Sequence, residues 1–114
     1  MTKKLDFNAL VQPTLELTMK DSARTVIHVE IPTQDLIERL TTAAPELQQA
    51  VKTKDATLIR KTYELAADLI SCNEEGLQIT GDDLLTKYRL KLEDLIVFSS
   101  IYLEFIEDIK NAKN

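Results

Sequence analysis

Tryptophan is absent from this 114-residue chain, and glycine (2), proline (3), cysteine (1) and histidine (1) are scarce. Two glycines cannot build a Gly-rich phosphate cradle. With so few turn formers the chain favours long helices over a many-stranded sandwich, which needs punctuation every ten residues or so. The lone thiol, Cys72, excludes an intramolecular disulfide framework and fits a reducing compartment. One Cys and one His cannot fill a standard four-ligand zinc site. His28 would have to be the base of any Ser–His or Cys–His centre. It lies in mid-strand beside no obvious nucleophile, so a strand histidine is the simpler reading.

Cations are also in deficit, 14 against 19 acids for a net charge of −5. Phosphate neutralisation by Lys and Arg is thereby disfavoured, and with it nucleic acid and anionic membrane surfaces. No stretch approaches the ~18 apolar residues of a membrane span. Met1–Asp6 carries two lysines with no apolar core behind them, which is not a secretory signal. We therefore expect no catalytic residues, no cofactor and no metal.

What is present suits a globular domain: 44% hydrophobic and 29% charged residues. The fold class expected is mainly α (α+β) in a single domain, 1–114, with a lead-in and β-hairpin over 1–32 and a helical part over 33–114. Phe7, Leu10 and Val11 fall at helical spacing in the lead-in, before Pro13 forces extension. Leu15, Leu17 and Met19 then alternate with Glu16, Thr18 and Lys20, a strand with one wet face. Asp21-Ser22-Ala23 supplies a polar turn. Arg24 to Ile31 reads as the second strand, with Thr25, Ile27, Val29 and Ile31 alternating against Val26, His28 and Glu30.

About four to five helices are expected to follow. Thr33 is a candidate N-cap after Pro32, with Leu36, Ile37 and Leu40 as an apolar stripe. Pro45 reads as the first turn of a separate short helix facing inward through Leu47 and Val51. Asp55 caps a strong amphipathic helix that ends near Asn73–Gly76, where Asn73 or Gly76 suits the left-handed conformation. Thr80 to Asp83 resembles a capping box, and a break near Leu90-Lys91 precedes the last helix, roughly Leu92 to Asn111. At 1.5 Å per residue that helix spans about 30 Å.

The last helix carries two apolar stripes where a surface helix needs one. Leu92, Leu95, Ile96, Tyr102, Leu103, Ile106 and Ile109 form the first; Val97, Phe98, Ile101 and Phe105 form the second. The second reads as a buried central position or a subunit interface, the interface being preferred. The adjacent carboxylate pairs, such as Asp82-Asp83 and Glu93-Asp94, point apart on a helix and complement helix starts instead of making acid/base pairs. Lys52, Lys54, Arg60 and Lys61 form a cationic group read as a solvated helix face, able in principle to meet an acidic partner.

Several segments together resemble the tail assembly chaperones of long-tailed, non-contractile bacteriophages. They are Leu5-Asp6-Phe7-Asn8 with Leu15-Glu16-Leu17, Val29-Glu30-Ile31-Pro32-Thr33, and Ala66 through Asn73 followed by Ile79-Thr80. Asp94-Leu95, Phe98 through Tyr102 to Phe105-Ile106, and the closing Lys113-Asn114 complete the likeness. All are packing and capping residues, and none is a catalytic signature. Lys-Asn is also what a slippery adenine run, used in that family for frameshifting, could encode. The resemblance implies a cytoplasmic protein of the host bacterium, not retained in the mature virion. It implies self-association and binding to the tape measure protein, with the tail tube protein a further partner. Our expectation is that the last helix supplies the binding surface through Val97, Phe98, Ile101 and Phe105, with Tyr102 at its margin. Aspartate at Phe98 and Phe105 should then abolish binding and leave the helices standing. A small helical adaptor for a folded bacterial or phage partner is the alternative.

Overall fold

The computed structural model describes residues 2–3 and 13–111. The lead-in positions Phe7, Leu10 and Val11, and the closing Lys113-Asn114, lie outside them. The architecture is the expected one: an antiparallel hairpin, then helices. Strand β1 (Leu15–Thr18) pairs with β2 (Val26–Val29), placing Glu16 opposite His28 and Leu17 opposite Ile27. The alternation of apolar residues decides which side faces inward, and Met19, Ile27 and Val29 are buried accordingly. The second strand is shorter than Arg24–Ile31 because Arg24 sits in the turn at φ 51°. There the Asp21 carboxylate accepts the Thr25 N–H at 2.8 Å and the Thr25 hydroxyl, which holds that carboxyl below its usual range.

Helix α1 (Gln34–Thr53) begins where expected, with the Leu36 N–H donating to the Thr33 hydroxyl. Pro45 does not start a second helix. It lies inside α1, so the described residues hold four helical elements, one below the upper count expected. Proline removes the N–H that would reach the Thr41 carbonyl, at a cost of about 3 kcal/mol in an ordinary helix interior. The helix continues because Leu40 before Pro45, and Leu47 and Ala50 after it, are all buried on one continuous stripe, along the side where α1 meets α2. Pro45→Ala is expected to restore that hydrogen bond and raise stability by about 1 kcal/mol. The midpoint of urea unfolding reads this; no gain would mean the carbonyl is already well served by water.

Helix α2 (Ala56–Ile70) is capped by Asp55, which accepts from the Thr57 and Leu58 N–H groups. Beyond Ser71 the chain leaves through Gly76, at φ +70°, the residue best suited to that conformation. Buried Asn73 holds this loop by donating to the Ile70 and Leu77 carbonyls and accepting the Leu77 N–H. The capping box forms reciprocally between Thr80 and Asp83. It opens a short element whose Asp83–Lys87 portion is a π turn, closed by Arg89 at φ 58°. Helix α3 (Leu92–Asn111) has the expected bounds.

The core gathers Ile27 and Val29 from β2, Leu40 from α1, Leu69 and Ile70 from α2, Leu84, and Leu95, Tyr102 and Ile106 from α3. Two tyrosine hydroxyls tie it together. Tyr63 donates to the Leu90 carbonyl at 2.8 Å, and Tyr102 to the Glu30 carbonyl at 2.9 Å. A further contact came from outside the hydrophobic pattern: Cys72–Glu74 runs beside β2. The Glu30 N–H donates to the Cys72 carbonyl and the Glu74 N–H to the His28 carbonyl.

Candidate protein interface

The five residues expected at an interface divide into two groups on α3. Val97 is 62% exposed and Ile101 43%. They are one turn apart, so they form a continuous apolar strip on the solvent side. Phe105, a turn further on, is half-buried. Phe98 (8% exposed) and Tyr102 (0%) belong to the core, which corrects their placement on a partner-facing surface. Their position follows from the width of the buried face. Leu95, Phe98, Tyr102 and Ile106 cover one broad side of α3 that meets α1, α2 and the Glu30 carbonyl. Aspartate at Phe98 would therefore bury a carboxylate and disrupt the fold, not merely an interface.

Around the strip the side chains are acidic. Glu93, Glu104 and Asp108 are exposed, and at 100° per residue all three fall within about 40° of Val97 around the helix. Asp94, at the start of α3, is held by Lys20 at 2.7 Å and accepts the Lys91 N–H at 2.8 Å. The lysine contact, then that N–H, keeps its carboxyl below the usual range. This pair ties the hairpin turn to the helix that bears the strip.

A shallow cleft of about 650 Å³ opens elsewhere, between α2 and the π turn. Ile59, Tyr63 and Leu85 line it, with Lys54 and Arg60 among the charged residues at its edge. Leu85 is 54% exposed. Lys52, Lys54, Arg60 and Lys61 are all exposed around the α1–α2 corner, as a solvated face would be.

One grouping was not visible in the sequence. His28 lies against Glu75, 47 positions away, with Nδ1 2.7 Å from Oε2, while Nε2 is 3.3 Å from Glu16 Oε1. A carboxylate oxygen of Glu74 lies within 4.8 Å of a ring nitrogen of His28 and a carboxylate oxygen of Glu75. The Glu75 hydrogen bond is the main reason the imidazole is pushed above its ordinary value of 6.5, against a smaller opposing effect of desolvation. The same bond, with the His28 backbone N–H, holds Glu75 low. Only the strand alternation that put His28 beside Glu16 could have signalled part of this.

Cys72 is half-buried and its thiol is pushed up, first by burial and then by Glu30 and Asp68. A thiol raised in this way is less nucleophilic than a free one. Among the described residues no helix is long and apolar enough to cross a membrane. Comparisons with family models, curated proteins and solved structures give no match for the chain.

Proposed function

We propose that this protein is a non-catalytic tail assembly chaperone of a long-tailed phage or prophage, which self-associates and holds the helical tape measure protein in the host cytoplasm. The observation that supports this reading most is the strip Val97–Ile101, continued by the half-buried Phe105, on a helix whose opposite side is fully committed to the core. Large apolar side chains lined up on a solvent face suit helix-against-helix recognition. The acidic border keeps the free chain soluble and gives the contact an orientation.

Co-expression tests the reading. Placed beside the long helical protein encoded near its own gene, the chain should keep that client soluble and co-purify with it in multiple copies. A client that aggregates equally with and without the chain, and never co-purifies, would remove the chaperone assignment.

A further inference from the structure

We propose that His28 is a protonation-dependent latch that fastens the β-hairpin to the loop leaving α2. Three elements meet at this side chain. It projects from β2, its cross-strand neighbour on β1 is Glu16, and Glu75 reaches it from the loop. Each ring nitrogen faces a carboxylate, Nδ1 towards Glu75 at 2.7 Å and Nε2 towards Glu16 at 3.3 Å. A neutral imidazole has a single N–H, so it can serve only one of these acceptors; the imidazolium serves both. Glu75 grips the backbone as well, accepting the His28 N–H on its other oxygen at 2.9 Å.

Two main-chain bonds join the same strand and loop that the latch fastens. The Glu74 N–H donates to the His28 carbonyl at 3.0 Å, and the Glu30 N–H to the Cys72 carbonyl at 2.7 Å. Glu30, the residue after β2, also supplies the carbonyl that receives the Tyr102 hydroxyl, so α3 is moored just beyond the strand held by the latch. The charged groups facing the ring are Glu16 from β1 and Glu74 and Glu75 from the loop. Among the described residues the only ion pairs of Glu16 and Glu75 are with His28.

The sign of the pH dependence follows from the two partners. The imidazole is raised, so its contribution is complete below 6.5 and is lost as pH climbs through the raised value. Glu75 is lowered, so its contribution is complete above 4.5 and is lost as pH falls through the lowered value. The latch is closed between these limits and opens on the alkaline side, as pH rises through the imidazole's raised value.

His28 is the only histidine, so its imidazole signals in the intact chain give one unambiguous NMR titration. The companion measurement is amide exchange at Glu30 and Glu74 from about pH 5 to 9, with intrinsic base catalysis divided out. The inflection is expected above 6.5. Protection of both amides should fall roughly two- to fivefold across it, the scale of an exposed ion pair. Glu75→Gln should move the inflection back towards 6.5 and flatten the exchange profile. His28→Gln should hold both amides at the open level at every pH. Titration of the wild type at or below 6.5, exchange indifferent to pH, or a Glu75→Gln profile identical to wild type would each overturn the proposal.

Discussion

Val97→Asp combined with Ile101→Asp is expected to leave the chain folded and, on the proposed reading, to abolish self-association and capture of a helical client. Both side chains lie on the solvent face of α3, so the folded monomer loses little packing. Aspartate in an exposed helix interior costs about 0.5 kcal/mol per site relative to good helix formers, against a domain stability of about 5–15 kcal/mol. In a contact the balance reverses. Two unpaired carboxylates would be desolvated against apolar partners, each at a cost of a few kcal/mol. They would also join Glu93, Glu104 and Asp108 on the same face, concentrating like charge. Affinity should fall at least about a hundredfold, since each tenfold corresponds to about 1.4 kcal/mol. Sedimentation velocity reads the association and circular dichroism the fold. Phe98→Asp provides the contrast, because it should lose helicity as well. Unchanged association of the helical Val97/Ile101 variant would show that the strip is ordinary surface.

Much of the architecture was legible because local signals and burial agree. Alternation at Leu15, Leu17 and Met19 and at Ile27 and Val29 located both strands and their inner faces. Thr33, Asp55 and the Thr80–Asp83 pair announced three helix starts through the same side-chain-to-backbone bonds the structure contains. Pro45 misled because its local cost is real, while the stripe of Leu40, Leu47 and Ala50 that outweighs it is a tertiary effect. The Cys72–Glu74 segment gave no strand pattern. It is held by its backbone and by Asn73, neither of which leaves a hydrophobic period to read.

The exposed apolar strip was half legible for a related reason. Two apolar stripes on neighbouring sides of α3 reveal an excess of hydrophobic surface, but periodicity alone cannot say which stripe meets the core. Tyr102 and Phe98 lie on adjoining sides of the helix, and the fold buries both. What separates Val97 and Ile101 from them is their company. Glu93, Glu104 and Asp108 share their side, and carboxylates that cannot be buried cheaply mark it as the one left to solvent. The His28–Glu75 contact depends on chain reversal over 47 residues, for which no local pattern exists.

Tyr102 anchors the middle of α3 in the core, and Tyr102→Ala is expected to be the most destabilising single change, by about 3–5 kcal/mol. The ring is fully buried and meets Phe98 and Phe105 edge-on, at centroid distances of 5.3 and 5.9 Å. Its hydroxyl reaches the Glu30 carbonyl 72 positions away. Tyr102→Phe keeps the packing and removes the tether, and should cost about 1 kcal/mol, the net worth of a typical internal hydrogen bond. Burial also pushes the phenol above its ordinary value of 10.0. The folded state then favours the neutral hydroxyl, so stability should fall as pH rises beyond about 10, and Tyr102→Phe should shallow that slope. Denaturant unfolding of the two variants at neutral and alkaline pH separates the contributions. A large gap between Ala and Phe assigns the seat of α3 to aromatic packing. Equal costs would assign it to the bond with Glu30, the residue after β2, and the orientation of Val97 and Ile101 would then depend on the end of the strand that bears His28.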